Sequence, residues 1–496
     1  MHASEFTVIR TWVRNNLIQN KFGGRNPKTN AVLAGTVTTW GDLQSDHIRI
    51  HIHALDELML HLKANGFKDE NFKYTKVRVS KGDTIDLSFN EGVTLRDYQE
   101  EAIEVAMSNS KYPATLLGLY TGAGKTFTAL ALSTLMKTRT AIILRPCYIK
   151  QWMKEITSVT NTTEEEIYHV SGKLSLIKLM KLAQEDEHQH LKYIIFSNAT
   201  YRVYLKLFMN NKLKEKGYII TPGKLMEMLG IGLVEIDEVH SDLHFWYFFM
   251  LHTKVARIIA LSATFLDDGD EFIRRVQSHM FPRDTSRYDY MLKHPYIDYT
   301  SIKINLAHKR NFSYHPRFNS MYSHKVVEKS LLSVNARRDN FFTLIRKLVD
   351  STYISRRAEG DKCLIFVASL PMAEELSEYL METYPNDNVV KYVGGVDLDV
   401  LLGSDIAIAT AQVASTGLDI KGLLSCISVN SVKSALAVIQ ALGRLRNLKR
   451  GKGREETFIQ IDYSNIIPKQ DYQTKRDRDL IGRVRSNRRL VYNTPI

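Results

Sequence analysis

Six consecutive residues, Thr121-Gly122-Ala123-Gly124-Lys125-Thr126, carry the means to hold a polyphosphate. Gly122 and Gly124 let the backbone turn its N–H groups toward phosphate oxygens, in shapes a Cβ would forbid. Lys125 supplies a cation for the β- and γ-phosphates, and the Thr126 hydroxyl suits Mg2+. The strict form of this pattern begins with a glycine where Leu119 stands here; Gly118 comes one residue early, so the loop reads as a relaxed variant. Well downstream, Asp237-Glu238-Val239-His240 offers two carboxylates in series. Asp237 can reach the metal through water, and Glu238 can orient or deprotonate the attacking water. His240 admits two readings, a link from hydrolysis to a second domain or a solvated turn histidine. Either run alone is ambiguous, since glycine turns and acidic pairs are common. In this order they predict a motor that binds ATP and Mg2+ and hydrolyses the nucleotide.

Such residues work only if the chain positions them. Ala114 to Leu119 is a short apolar run, and Lys125 onward reads as a helix with Phe127, Leu130, Leu132 and Leu135 available for burial. The positive end of that helix helps hold an anion. Leu233-Val234-Glu235-Ile236 is a largely apolar strand that delivers Asp237 and Glu238 at its C-terminal end, where open α/β sheets bind ligands. From about Thr94 to Pro282 strands near Ala114–Leu119, Ala141–Leu144, Tyr193–Phe196, Leu233–Ile236 and Ile258–Leu261 alternate with helices. A second run of the same kind has strands near Cys363–Val367, Val389–Val393, Ile406–Ala409, Ile427–Asn430 and Phe458–Ile461. Alternation of this kind predicts parallel sheets covered on both faces, one per run.

The flanking segments differ. Ile48, Ile50 and Ile52 alternate with polar residues like a half-buried strand, and Leu55, Leu58, Met59 and Leu62 follow at helical spacing. Val77 and Val79, then Ile85 and Leu87, flank Lys81-Gly82-Asp83 like a hairpin. Residues 1–90 therefore read as a small α+β accessory domain. Its basic residues Arg10, Arg14, Lys21, Arg25 and Lys28 fit a nucleic-acid contact or a solvated face. The lobes are expected at 91–285 and 286–464, the second entered through an aromatic, basic stretch from Arg283 to Lys325. Residues 465–496 read as a basic tail: Lys475 to Arg489 holds seven basic and two acidic side chains, suited to phosphate or to water.

The whole composition limits the partners. The 496 residues include 67 basic and 54 acidic side chains, a net charge of +13, which favours a polyanion. Three widely spaced cysteines, Cys147, Cys363 and Cys426, suggest no disulfide framework or zinc site and point to a reducing compartment. No apolar run has the length of a membrane span and no signal-peptide core opens the chain, so a soluble, cytoplasmic protein without a membrane partner is expected.

From Thr94 to Tyr463 the ordered motifs resemble a superfamily 2 DExH-type helicase, whose two RecA-like lobes close on ATP. Arg96-Asp97-Tyr98-Gln99 looks like the adenine-recognising element, which implies that Gln99 bonds the base edge and that Tyr98 or Arg96 stacks nearby. Arg145-Pro146 with Gln151-Trp152 is similar to the first DNA-contacting motif, although Trp152 also reads as core. Asn198-Ala199-Thr200 sits where a second backbone contact falls. Ser262-Ala263-Thr264 is similar to the motif that relays hydrolysis between lobes. In the second lobe Ser415-Thr416-Gly417-Leu418-Asp419 looks like the motif in which Gly417 and Asp419 meet ATP and Thr416 meets nucleic acid. Gln440-Ala441-Leu442-Gly443-Arg444 resembles the arginine-finger helix, so Arg444 would stabilise transition-state charge. The family's second arginine falls on Asn447; Arg446 is preferred for that role over Lys449 and Arg450.

The DEVH form and Tyr392-Val393-Gly394-Gly395 look closest to bacteriophage UvsW-type helicases. That resemblance implies branched or forked DNA as partner, with RNA possible within R-loops, in fork regression, branch migration and R-loop removal. It also implies duplex-DNA binding by residues 1–90. An RNA helicase or a restriction-type motor subunit is the nearer alternative. Intact Lys125, Glu238 and Arg444 argue against a non-catalytic nucleotide-switched DNA clamp, and a small-molecule P-loop kinase would leave the second lobe unexplained.

Overall fold

The computed structural model describes residues 3–21, 36–43, 47–73, 75, 79, 81–108, 113–119, 123–262, 271–282, 287–289, 294–306, 323–393, 398–410, 420–430, 438, 442, 445, 453–463, 480–481, 483–493 and 496. The chain divides into two compact units, with the boundary near residue 291.

The first unit is built on a seven-stranded, all-parallel sheet. Its strands lie in the order Arg287–Asp289, Ala114–Gly118, Arg257–Ser262, Leu233–Ile236, Thr140–Leu144, Tyr193–Ser197, Ile167–Val170. The central strands are apolar runs because both faces are covered: every residue of Thr140–Leu144, Tyr193–Ser197 and Leu233–Ile236 is buried. The second unit repeats the plan with an all-parallel sheet ordered Val389–Tyr392, Ile406–Thr410, Lys362–Val367, Leu423–Ser428, Thr457–Tyr463, His294–Ile304, Val484–Tyr492. Two tandem RecA-like lobes are thus present.

Residues Val484–Tyr492, read from sequence within a basic tail, form the outer strand of the second sheet. Arg485 is tied to Asp298 of the neighbouring strand and to Glu455. The aromatic stretch after Arg283 supplies the last strand of the first sheet and, at His294–Ile304, a strand well inside the second.

The N-terminal segment is α+β, with helices Ala3–Leu17 and Leu55–Ala64 and two short antiparallel pairs. Its apolar residues belong to the first lobe's core: Trp12, Leu17, Trp40 and Leu58 share one buried cluster with Tyr247, Phe248, Val276 and Met280. Of the alternating isoleucines only Ile48 lies in a strand, Ile48–Arg49, and Ile52 opens a 3-10 turn. The first arm of the expected hairpin falls largely outside the described residues. The second arm lies along the first lobe: the Ile85 amide donates to the Lys137 carbonyl, and that of Asn90 to Val159.

That segment is pinned by Arg139, whose side chain is 1% exposed. Its guanidinium donates to the Asp83 carboxylate at 2.6 Å, to the Leu229 and Leu191 carbonyls at 2.7 Å each, and to the Gln189 carbonyl at 3.1 Å. Fully paired, it satisfies carbonyls that would otherwise be buried without donors. A Cβ on nearby Gly232 would come within 2.1 Å of the Thr138 hydroxyl and 2.4 Å of the Lys81 carbonyl, so glycine is required for this close approach.

Candidate active site

Three adjacent strands of the first sheet end at one place. Ala114–Gly118 leads into the phosphate-loop sequence, Leu233–Ile236 delivers Asp237 and Glu238, and Arg257–Ser262 lies between them. The Leu119 amide donates to the Ser262 carbonyl at 3.1 Å, which joins the first and third of these strand ends. C-terminal strand ends in a parallel sheet are where the following loops and helix N-termini converge on a ligand.

Helix Lys125–Met136 begins immediately after Gly124, which holds φ +80. A Cβ there would also meet the Gln99 side-chain nitrogen at 2.7 Å. Lys125 and Thr126 thus occupy the first turn, at the positive end of the helix. Lys125 Nζ lies 3.8 Å from Glu238 Oε1, with both side chains largely screened from water.

Glu238 is one of the few non-glycine residues with positive φ, at 55 degrees. An L-residue rarely takes this shape unless its surroundings hold it there. Here Lys125 faces one carboxylate oxygen, and His240 Nδ1 lies 3.2 Å from the other. His240 Nδ1 is also 2.9 Å from Ser262 Oγ. Burial lowers the His240 pKa, partly offset by Glu238, so the ring is neutral at neutral pH. Since a carboxylate can only accept, the proton belongs on Nδ1.

Asp237 sits beneath this pair. Its amide donates to the Ile143 carbonyl at 3.1 Å, and its Oδ2 accepts from the Trp152 indole N–H at 3.4 Å. Burial and the neighbouring Glu238 push its pKa up, against the pull of Lys125. A carboxylate crowded in this way gains from a hard divalent cation, and the hydroxyl and carboxylate oxygens of Thr126 and Asp237 fit Mg2+ by donor type.

Gln99 is almost wholly buried and donates from Nε2 to the Ala123 carbonyl at 2.9 Å, while its Oε1 accepts from the Arg96 amide at 3.0 Å. The Tyr98 hydroxyl reaches the same carbonyl at 3.0 Å, and Arg96 Nη1 donates to that hydroxyl at 2.9 Å. The expected base-recognition residues therefore cluster on the phosphate loop. Arg96 is exposed and Tyr98 partly so.

A second concavity, of about 560 Å3, opens beside the ends of Thr140–Leu144 and Tyr193–Ser197. Arg145, Pro146, Cys147, Asn198, Ala199 and Arg202 line it. Thr200 accepts from the Gly172 amide at 2.7 Å, and Gln151 is tied to Glu155 at 3.0 Å on its own helix. Thr121, Gly122, Thr264, Thr416, Gly417, Asp419, Gln440, Arg444 and Arg446 lie outside the described residues. Sequence reasoning left Trp152 as a core candidate; it is core, at 2% exposure, yet it also donates to Asp237. Arg202 and Asp242 were missed altogether, because an arginine on a helix and an aspartate in a turn carry no distinctive spacing. Among the described residues there is no group of histidine, cysteine and acidic side chains that could by itself hold a metal, and no helix long and apolar enough to cross a membrane.

Residues 92–267 match the family described as "Type III restriction enzyme, res subunit". Over 192 residues the chain is 26% identical to the TFIIH basal transcription factor complex helicase/translocase XPB subunit of Trypanosoma brucei brucei. The match takes in 38% of this chain but spans only 19% of the length of that relative. A solved structure of the DEAD-box helicase Mss116, bound to ssRNA and UDP-BeF, covers 81% of this chain and 75% of its own at TM-score 0.50 and 13% identity, a likeness of fold. The T4 UvsW structure covers 98% of this chain and 96% of its own, at TM-score 0.35 and 14% identity. The family match and the relative support a superfamily 2 helicase, the wider class to which the motifs pointed.

Proposed function

We propose that this chain is an ATP-driven DNA helicase or translocase that remodels branched DNA, with Mg2+ as cofactor. The observation that carries the ATPase part is the convergence of Lys125, Asp237, Glu238, His240 and Ser262 at three neighbouring strand ends. In this reading Lys125 grips the β- and γ-phosphates, and Glu238 orients the attacking water and takes its proton. Thr126 and Asp237 would hold Mg2+, which neutralises phosphate charge when bound. His240 keeps Glu238 aimed and joins it to Ser262. Arg444, with Arg446, is assigned the transition-state charge, and Gly417, Asp419 and Gln440 the nucleotide contacts of the second lobe. Arg145, Gln151, Thr200 and Thr416 are assigned to the nucleic-acid backbone.

The DNA reading draws on the net charge of +13 and the basic concavity at Arg145 and Arg202. The choice of branched substrates draws on the motif resemblance to UvsW-type helicases. The match to the res-subunit family favours a second reading, the motor of a restriction system.

Lys125→Ala should lower ATP turnover at least about a hundredfold, the scale of removing a transition-state cation. Glu238→Gln should stop turnover while nucleotide still binds; unchanged turnover in either variant would refute the site. The substrate reading is tested by strand separation on forks, Holliday junctions, R-loops, tailed duplexes and RNA duplexes. Branched DNA is expected to be unwound fastest. Translocation along unbranched duplex without unwinding would favour the restriction-type motor.

A further inference from the structure

The concavity at Arg145 is connected to the hydrolytic carboxylates by one ion pair. Arg202, on helix Asn198–Met209, lines the concavity, and its guanidinium pairs with Asp242. The same guanidinium stands 5.3 Å over the ring of Phe245, which holds the side chain in place. Asp242 closes the short 3-10 turn Val239–Asp242, which follows Glu238 directly and carries His240. It also caps the next helix, its Oδ1 accepting from the Phe245 amide at 3.3 Å. One end of this turn is therefore Glu238 in its left-handed conformation, and the other is tethered to a wall of the concavity.

The tether is of a kind that a polyanion can undo. Arg202 is half exposed, and an exposed ion pair is weak. A phosphodiester backbone presents dense negative charge and gains further by releasing counterions. Its phosphates would compete with Asp242 for the guanidinium, and the turn would lose its outer restraint.

We propose that the Arg202–Asp242 pair is a sensor that restrains the Glu238 turn until a nucleic-acid phosphate displaces Asp242, so that ATP turnover rises when the track is bound. Arg202 and Asp242 act as positioning residues, since neither touches the reacting atoms. The inference rests on the helicase reading above.

The test uses the full chain and measures ATP turnover alone and with single-stranded DNA, forked DNA or single-stranded RNA. Asp242→Asn keeps the helix cap but removes the charge. It should raise DNA-free turnover by up to about fivefold, the size of an exposed ion pair. DNA-saturated turnover should stay unchanged, and the DNA concentration needed for half-stimulation should fall. Arg202→Gln should raise DNA-free turnover similarly but need more DNA, and the double variant should show no further rise. If Asp242→Asn keeps the wild-type ratio of stimulated to basal turnover, or lowers both rates in proportion, the sensor is refuted. If neither DNA nor RNA stimulates the unaltered chain, the helicase reading itself falls, and the sensor with it.

Discussion

Trp152 shows how far residue types alone can be read. Its position after Gln151 suggested a contact to nucleic acid or a place in the core. Burial settled the second, but the indole N–H also reaches Asp237 Oδ2 at 3.4 Å. One donor to a crowded carboxylate favours its ionised form. Trp152→Phe keeps most of the apolar contact and removes only the N–H. The variant should fold normally yet need several-fold more Mg2+ for half-maximal ATP turnover; a Mg2+ titration matching the unaltered chain would show the bond to be incidental. Lys125, Asp237 and Glu238 could be proposed from sequence because a glycine loop and an apolar strand mark their places, and the structure brings Lys125 to within 3.8 Å of Glu238. The Arg202–Asp242 pair could not be, because it joins residues forty positions apart through a fold that sequence spacing does not encode.

Most interior strands were legible, although His294–Ile304 was hidden in the aromatic, basic stretch. Leu233–Ile236 was bounded correctly, since a strand buried on both faces is largely apolar, here with Glu235 as the one buried exception. Among the described residues the edge strand Val389–Tyr392 was anticipated, but the others escaped for the converse reason. Val484–Tyr492 is exposed along most of its length and can be as basic as a tail, while Ile167–Val170 is too short and mixed to stand out. The N-terminal elements looked separable because their composition differs, but their tryptophans insert into the first lobe's core. His51 lies in that junction, 5% exposed, with its ring 5.8 Å from Tyr247 and 5.1 Å from His53. Burial, then the proximity of His53 and His279, lowers its pKa to about 3. Glu57, paired with His279 at 3.3 Å, Arg275, whose charge also acts on His279, and Arg49, close to His252, are further charged groups at this junction. A folded-state pKa below the unfolded value means that the unfolded chain binds the extra proton. The stability contributed by neutral His51 is therefore complete above about pH 6.5 and lost as the pH falls toward 3. Between about pH 6.5 and 5 the loss should approach about 2 kcal/mol. Urea unfolding followed by tryptophan fluorescence should show this slope, and His51→Phe should flatten it.

Across the whole molecule, the excess of 67 basic over 54 acidic side chains would, on the proposed function, govern the salt dependence of polynucleotide binding. If binding neutralises about four phosphates, affinity should drop about a hundredfold between about 50 and 200 mM salt. Fluorescence anisotropy with labelled DNA measures this directly, and an affinity insensitive to salt would remove the electrostatic basis of the concavity. The order of strands in the second sheet has a further consequence, felt before the protein is complete. His294–Ile304 is an interior strand whose neighbours on both sides, Thr457–Tyr463 and Val484–Tyr492, come far later in the chain. While the ribosome is still making those residues, this strand has both hydrogen-bonding edges bare, the condition that invites pairing with other nascent chains. A message cut short before residue 484 would leave one edge permanently open, with Leu490 and Val491 missing from the rim. Such a product would engage the cell's chaperones and proteases.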